Sequence, residues 1–149
     1  MKHSEGRTGR VFILRLENGD EVPSCIERFA AEHDIRLASV TLIGGIGSGQ
    51  VVVGPRDGEA RPLEPVLHPL EDPHEVLAAG LLAPGPDGKP MLHIHGALGR
   101  GGRTITGCLR PGVDTWLTGE AVVTEILESP AARAVDPGTG LALLDPGNG

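Results

Sequence analysis

The chain of 149 residues has the size of one domain and is long enough to bury a core without disulfides. Its net charge of −7 disfavours direct binding of nucleic acid, and three aromatic residues cannot form a row of base-stacking surfaces. Two distant cysteines and a start unlike a secretion signal predict a cytoplasmic protein, and no apolar run is long enough to cross a membrane.

The first third of the chain predicts a strand and the main helix. Residues 1–10 are polar and are expected to be a loose lead-in before a single domain at 11–144 and a C-terminal tail at 145–149. Residues 11–16 read as a strand. Apolar spacing then predicts a helix from Asp20, as N-cap, to about residue 33, in which Cys25 is a packed thiol and His33 is a surface imidazole near the helix C-terminus.

Short apolar runs separated by glycine and proline predict strands at residues 35–43 and 50–54. The glycine-rich connection at residues 44–49 resembles a phosphate-binding loop only in composition. Such a loop requires a helix N-terminus after the glycines, and a Val-Val-Val strand follows here. The connection is therefore predicted to be a strand-to-strand turn or bulge in which φ becomes positive.

The second half of the chain predicts further strands. Residues 62–73 contain four prolines and are expected to be irregular, residues 74–83 and 119–127 form strands, and Trp116 is expected to anchor packing. Leucines at residues 141–144 suffice for a short edge segment. Together these elements predict an α+β fold, a sandwich or half-barrel of about six or seven strands with one main helix.

Two histidines one residue apart mark the strand at residues 91–98. Because side chains alternate between the two faces of a strand, His93 and His95 point to the same face. A two-residue turn at residues 101–102 places His95 opposite Cys108 and His93 diagonally from it on the same face. A three-residue loop would instead turn Cys108 away, so the site depends on the register of this hairpin.

Two imidazoles and a thiolate on one patch of sheet form a donor set that suits zinc, and His93, His95 and Cys108 are the predicted metal ligands. The alternative interpretation is a strand with polar residues on a solvated or subunit-facing side. Three protein ligands leave a fourth position for water, for another subunit, or for a side chain such as His74, Glu75 or Glu120.

The order of several short motifs resembles the PPC domain, the plant-and-prokaryote-conserved family that follows an AT-hook in plants and stands alone in bacteria. The motifs are Gly-Asp-Glu at residues 19–21, Gly-Ile-Gly at 45–47, Glu-Val-Leu at 75–77 with Gly80, Met-Leu-His-Ile-His at 91–95, Glu-Ala-Val-Val at 120–123, and Arg133, Asp136 and Thr-Gly-Leu at 139–141.

The resemblance implies a seven-stranded antiparallel sheet with a packed helix, a homotrimer and, in prokaryotic members, a metal-binding face near the paired histidines. Cys108 stands where the family usually has a third histidine, which exchanges one zinc ligand for another. The Arg-Gly-Arg-Pro core of an AT-hook is absent from the sequence.

Three functions are therefore considered. The leading hypothesis is a homotrimeric metal-binding protein, with zinc as cofactor, that presents a surface for a ligand or partner. The alternatives are a DNA-associated transcriptional regulator, which the plant relatives imply and the charge opposes, and a metal-dependent enzyme on a small molecule. In the enzyme, Glu75 or Glu120 is the candidate proton acceptor, and the catalytic residues are otherwise unassigned.

Overall fold

A computed structural model describes residues 1–147 as a nine-stranded sheet, a separate two-stranded sheet and one helix. The elements in chain order are β1 (Arg7–Glu17), β2 (Glu21–Val22), α1 (Ser24–Glu32), β3 (Ala38–Ile46), β4 (Gly49–Pro55), β5 (Pro65–Leu70), β6 (His74–Pro84), β7 (Pro90–Arg100), β8 (Arg103–Leu109), β9 (Val113–Leu127), β10 (Ala132–Val135) and β11 (Ala142–Asp145). The predicted antiparallel sheet with one packed helix is confirmed, although it has more strands than predicted.

The large sheet has the strand order β1-β9-β3-β6-β7-β8-β4-β5, with β2 paired to β9. One face carries the core, because alternate residues such as Val40, Leu82 and Ile94 are fully buried. Helix α1 covers this face, and its Glu27 carboxylate accepts a hydrogen bond from the backbone N–H of Leu92 at 2.8 Å. The opposite face of the central strands therefore points away from the core.

The first strand begins four residues before its predicted start, so residues 7–10 belong to the sheet. After a bulge, β1 continues its pairing with β9 as far as Arg7, opposite Leu127. Arg10 is held by the buried carboxylate of Glu125, which accepts hydrogen bonds from its Nε at 2.8 Å and its Nη2 at 2.7 Å. The polar composition of residues 7–10 predicted a loose chain. The ion pair that holds them joins two strands distant in sequence, so neither strand's sequence predicts it alone.

The helix begins at Ser24, and the N-cap position belongs to Pro23 instead of Asp20. Residues 21–22 are extended because they pair with Asp114 and Val113 of β9. The carboxylate of Asp20 accepts a hydrogen bond from the backbone N–H of Glu17 at 2.8 Å, so it closes the preceding turn. Pairing with a distant strand therefore overrides the local capping signal.

The proline-rich stretch was predicted to be irregular, but it contains a strand. Residues 65–70 form β5, which pairs with β4 at one end of the strand order. Proline is tolerated there because an edge strand bonds to a neighbour on one side only.

The glycine-rich connection runs from strand to strand, as predicted. Gly44 lies at a bulge with φ of +129°, and a Cβ there would come within 2.5 Å of the carbonyl oxygen of Thr118. The structure continues into β4, so the glycines precede a strand and not a helix N-terminus. The conformation and the close backbone approach explain the glycine without a phosphate ligand.

Trp116 is 41% exposed, so the prediction that it anchors packing is wrong. Strand β9 is bulged after Trp116, and Leu117 has a φ of +62°. The bulge re-aims the side chains at this end of the strand, which a regular period of two cannot anticipate.

The predicted edge segment near the C-terminus is β11, which pairs with β10 in the small sheet. Residues 148 and 149 of the predicted tail lie outside the described residues. Within the part of the chain that the structure describes, the helix is too short to span a bilayer.

Candidate metal site

The β7–β8 hairpin has the register that the sequence predicts. Gly101 and Gly102 have φ of +57° and +77°, so both central residues of the two-residue turn are left-handed. Arg100 then pairs with Arg103, and His95 pairs with Cys108. A Cβ at either glycine would meet no atom within 4 Å, so backbone conformation and not space favours glycine here.

The three predicted ligands lie together on the face of the sheet that points away from the core. His93 and His95 are exposed on β7, whereas Leu92 and Ile94 are buried on its other side. One donor atom from each of His93, His95 and Cys108 lies within 4.8 Å of the others. The Nε2 atoms of the two histidines are 3.0 Å apart. Alternation along β7 and pairing to β8 therefore bring these three donors together.

The separations suit one tetrahedral ion. Ligands at about 2.0–2.3 Å from a zinc ion, at tetrahedral angles, lie roughly 3.3–3.8 Å from one another. The observed 3.0 Å between the two Nε2 atoms is slightly shorter than this distance. The upper limit of 4.8 Å over the whole set is slightly longer. The three donors therefore lie about as far apart as the ligands of a single ion.

Local electrostatics favour a neutral imidazole and a protonated thiol. Burial lowers the pKa of His93, and the charges of His95, Arg133 and Arg110 lower it further. Burial raises the pKa of Cys108, while Arg110 and Arg133 act in the opposite direction. A neutral imidazole is the form that binds metal, but Cys108 would have to lose its proton to bind.

Arg133 stands beside this cluster and was not identified as a site residue from sequence. It lies on β10, is only 6% exposed, and donates from Nη2 to the carbonyl oxygen of Leu81 at 3.0 Å. Leu81 is the residue of β6 that pairs with His93. Arg133 belongs to the closing motif of the PPC resemblance, which could have marked it as a site residue. The motif does not, however, predict its contact with Leu81 on β6.

The rest of the closing motif shapes the turn that carries Arg133. The carboxylate of Asp136 accepts hydrogen bonds from the backbone N–H and the hydroxyl of Thr139, at 2.8 and 2.7 Å. The N–H of Gly140 donates to the carbonyl oxygen of Asp136 at 2.7 Å. These bonds fix the connection between β10 and β11 and thereby the strand on which Arg133 lies.

The carboxylates considered as a fourth ligand or proton acceptor lie elsewhere on the sheet. Glu75 pairs with Gly99, four positions along β7 from His95, which corresponds to roughly 13 Å. Glu120 is on β9, three strands from β7 and roughly 14 Å away across the sheet. Neither distance can be covered by a glutamate side chain of a fixed strand.

His74, the remaining candidate for the fourth position, lines a different feature. It borders an open pocket of about 610 Å³ together with Glu75, Arg100 and Trp116, at the turn end of the β7–β8 hairpin. Its Nδ1 lies 2.6 Å from the carbonyl oxygen of Asp72. His74 therefore does not join His93, His95 and Cys108.

Cys25 and His33 pack as expected for structural residues. Cys25 is half-buried against the core, and burial raises the pKa of its thiol to about 11. The His33 ring stacks on Phe29 with ring centroids 4.0 Å apart, and its Nδ1 lies 2.9 Å from the Phe29 carbonyl oxygen. Cys25 and Cys108 are both free thiols.

A family model described as the Plants and Prokaryotes Conserved (PCC) domain matches residues 3–127. The chain belongs to this family. The PPC resemblance drawn from the motifs is therefore confirmed, and the match ends before the β10–β11 hairpin that carries Arg133.

Solved structures and curated proteins extend the comparison for this PCC domain. The metal-containing protein AF0104 from Archaeoglobus fulgidus is 33% identical, with a TM-score of 0.83 over 96% of this chain and 98% of that one. A plant- and prokaryote-conserved protein from Pyrococcus horikoshii has a TM-score of 0.83 over 97% of each chain, and its 23% identity shows the fold alone.

A curated relative, the bifunctional protein GlmU from a Synechococcus strain, is 31% identical over 88% of this chain. The chain spans only about a fifth of the length of the two curated GlmU relatives that it matches, which is 20% of one and 19% of the other.

Proposed function

We propose that this PCC domain is a cytoplasmic, homotrimeric zinc-binding protein that presents a metal-centred surface to a small ligand or partner. His93, His95 and Cys108 would hold the ion. The observation that carries the proposal is the β7–β8 register, which pairs His95 with Cys108 and leaves His93 on the same face.

The donor chemistry supports zinc. Two imidazole nitrogens and one thiolate match the ligand types that this ion prefers, and three protein ligands leave one coordination position open. An ion in such a site supplies a Lewis acid that can bind an anion or lower the pKa of water. The similarity to a metal-containing protein from Archaeoglobus fulgidus, at 33% identity, also supports a metal in this chain.

The exposed face of the sheet supports self-association. Ile13, Val122, Ile43 and Leu77 lie on the adjacent strands β1, β9, β3 and β6, and Ile13 and Leu77 are 83% and 67% exposed. Several large apolar side chains exposed on one face of neighbouring strands are typical of an interface. The PPC resemblance assigns it to further copies of the same chain, and three copies are proposed.

Elemental analysis tests the metal proposal. Tag-free protein from zinc-supplemented growth is expected to contain about one zinc per chain, because residues 1–147 contain one set of three donors. Cys108→Ala is expected to retain much less, whereas Cys25→Ala, the other cysteine, should match the wild type. Sub-stoichiometric metal in both the wild type and Cys108→Ala would refute the proposal.

Sedimentation equilibrium tests the assembly separately. The wild type is expected to have close to three times the 15.5 kDa mass of the chain. Leu77→Glu places a charge on the exposed apolar face and should shift the distribution toward monomer. Lys89→Glu, at the exposed turn between β6 and β7, is the matched control and should leave the mass unchanged. A wild type that sediments at the mass of one chain would exclude the trimer.

The two alternative functions receive less support. In the enzyme hypothesis, Glu75 or Glu120 is the candidate proton acceptor, and both lie more than 10 Å from the histidines by the strand spacings given above. The DNA-associated regulator still faces a net charge of −7. Binding to duplex DNA at physiological salt, or a turnover abolished by chelator and by His95→Ala, would revive the corresponding alternative.

A further inference from the structure

A row of five paired residues crosses the face of the sheet that points away from the core, at the turn end of the β7–β8 hairpin. From β9 through β3, β6 and β7 to β8, the row consists of Trp116, Gly45, Glu75, Gly99 and Thr104. Directly paired residues share one face of a sheet. Four members of the row, all except Gly45, line the open pocket of about 610 Å³.

The pocket has room for a ligand because Gly99 carries no side chain. A Cβ at Gly99 would meet only the carbonyl oxygen of Arg103, at 3.9 Å, so the space above this glycine is open. Neither Gly99 nor Gly45 has a positive φ, so backbone conformation does not require glycine at either position. A glycine inside a strand often marks a place where a ligand or another part of the chain approaches closely.

Trp116 forms one wall of the pocket. A Cβ at Gly45 would come within 2.9 Å of Cε3 of Trp116, so the indole ring lies directly over the backbone of that glycine. The next residue, Leu117, has a φ of +62°, and its N–H donates to Oδ1 of Asn18 at 2.8 Å. Strained backbone of this kind is concentrated at functional sites. The bulge therefore presents a fixed and 41% exposed aromatic surface on which a planar ring can stack.

Two arginines form the opposite end of the pocket, where Arg100 and Arg103 flank the turn. Nη1 of Arg100 donates to the Pro73 carbonyl oxygen at 2.9 Å, and its Nη2 lies 3.2 Å from Oδ2 of Asp72. Arg103 forms no ion pair within residues 1–147. The guanidinium of Arg103 is therefore available to an anion, and its planar set of donors matches the oxygens of a phosphate.

Glu75 lies between these two ends of the row. Its carboxylate repels a ligand that is anionic along its whole length, but it can accept hydrogen bonds from hydroxyl groups. Acidic side chains bind the ribose hydroxyls of nucleotides in this way. The row thus offers, in order, a stacking surface, an acceptor for hydroxyls and a cation, and it spans roughly 14 Å from β9 to β7. A base, a sugar and a phosphate follow one another in the same order in a nucleotide.

We propose that this pocket binds a nucleoside monophosphate. The base stacks on Trp116, the sugar hydroxyls donate to Glu75, and the phosphate binds Arg103, with Arg100 beside it. One aromatic surface accommodates one base, and stacking alone does not select which base. This site is separate from the proposed zinc ligands and does not depend on them.

Fluorescence of Trp116 reports directly on the pocket, because the chain contains one tryptophan and no tyrosine. In the purified full chain, iodide is expected to quench this fluorescence. AMP is then expected to quench it in a saturable manner, adenosine to bind more weakly because it has no phosphate, and inorganic phosphate alone to leave the emission unchanged. A tryptophan protected from iodide, no response to millimolar AMP, or equal binding of adenosine and AMP would overturn the site.

Two pairs of variants test the cation and the open space. Arg103→Met should weaken AMP binding roughly ten- to a hundredfold, because a charge-assisted hydrogen bond is lost. Arg28→Met, an exposed change on the helix that covers the other face, is its control and should bind like the wild type. Gly99→Val fills the pocket and should abolish the response, whereas Gly58→Val, at a glycine with equally open space, should not. Wild-type affinity in Arg103→Met or in folded Gly99→Val would overturn the proposal.

Calorimetry tests the stacking surface without relying on the fluorophore. Trp116→Ala is expected to bind AMP roughly ten- to a hundredfold more weakly, because a stacking contact with the base is lost. Cys108→Ala should bind AMP like the wild type, since the pocket lies at the other end of the hairpin. Unchanged affinity in Trp116→Ala would overturn the stacking role. Loss of AMP binding in Cys108→Ala would overturn the pocket by assigning the nucleotide to the candidate metal ligands.

Discussion

Proton release on metal binding gives the sharpest test of Cys108 as a ligand. Burial raises the pKa of this thiol above its ordinary value of 9.0. At pH 8 the thiol is therefore mostly protonated, and zinc can bind the sulfur only if that proton leaves. Cys108→His supplies the ligand type that the family usually has, and an ordinary imidazole is almost entirely neutral at this pH.

The wild type is thus expected to release up to about one proton more per zinc than Cys108→His at pH 8. Isothermal titration calorimetry in buffers with different ionisation enthalpies measures this difference directly. Zinc affinity should also fall as pH decreases from 8 to 7. Loss of the Cys108 proton alone accounts for a roughly tenfold decrease in the wild type, and the decrease should be smaller in Cys108→His.

Cys25→Ala is the control for proton release, because Cys25 lies on α1, remote from the cluster, and should not change the proton count. Equal proton release from the wild type and Cys108→His, with zinc bound to both, would contradict the prediction that a protonated Cys108 becomes a zinc ligand. It would mean that Cys108 keeps its proton and is not a ligand, or that it is already a thiolate in the free protein.

Two predictions concern the frame that holds the site. The bonds from Arg10 lower the pKa of buried Glu125 from 4.5 to about 2, so their stabilisation is present above about pH 4.5 and is lost as pH falls toward 2. Because Arg10 is half exposed, we expect Glu125→Gln to lower the free energy of unfolding by only about 1–2 kcal/mol at pH 7, and by less at pH 3. Urea unfolding measures both values, and the exposed Glu128→Gln is the control. Ile94→Ala, a fully buried change beneath His93 and His95, should cost about 2–5 kcal/mol at pH 7, and the exposed Val135→Ala less than about 0.5 kcal/mol. An Ile94→Ala loss as small as that of Val135→Ala, or a Glu125→Gln loss equal at both pH values, would contradict these assignments.

The grouping of the three candidate ligands could be predicted from sequence because it is local. His93 and Cys108 are 15 positions apart on one hairpin, and strand alternation with a Gly-Gly turn fixes their relative faces. What could not be predicted depends on distant pairing. The β2–β9 pairs displace the helix start from Asp20 to Ser24, and the bulge in β9 leaves Trp116 exposed. In both cases a local preference lost to hydrogen bonds across the sheet.

The position of Arg133 beside the candidate site could not be predicted from sequence either. In sequence it is one arginine in an alanine- and proline-rich tail, 25 positions after Cys108, and nothing local indicates that it is buried. It reaches β6 only because the Asp136–Thr139 turn folds β10 and β11 into a hairpin, and because Ala131 packs with Leu37 and Ala83.

The candidate ligands and Arg133 thus come from two different hairpins. The family match at residues 3–127 includes all three proposed ligands but ends before Arg133. The grouping of the candidate ligands follows from the local pattern of one hairpin, whereas the position of Arg133 depends on how the β10–β11 hairpin packs against the large sheet.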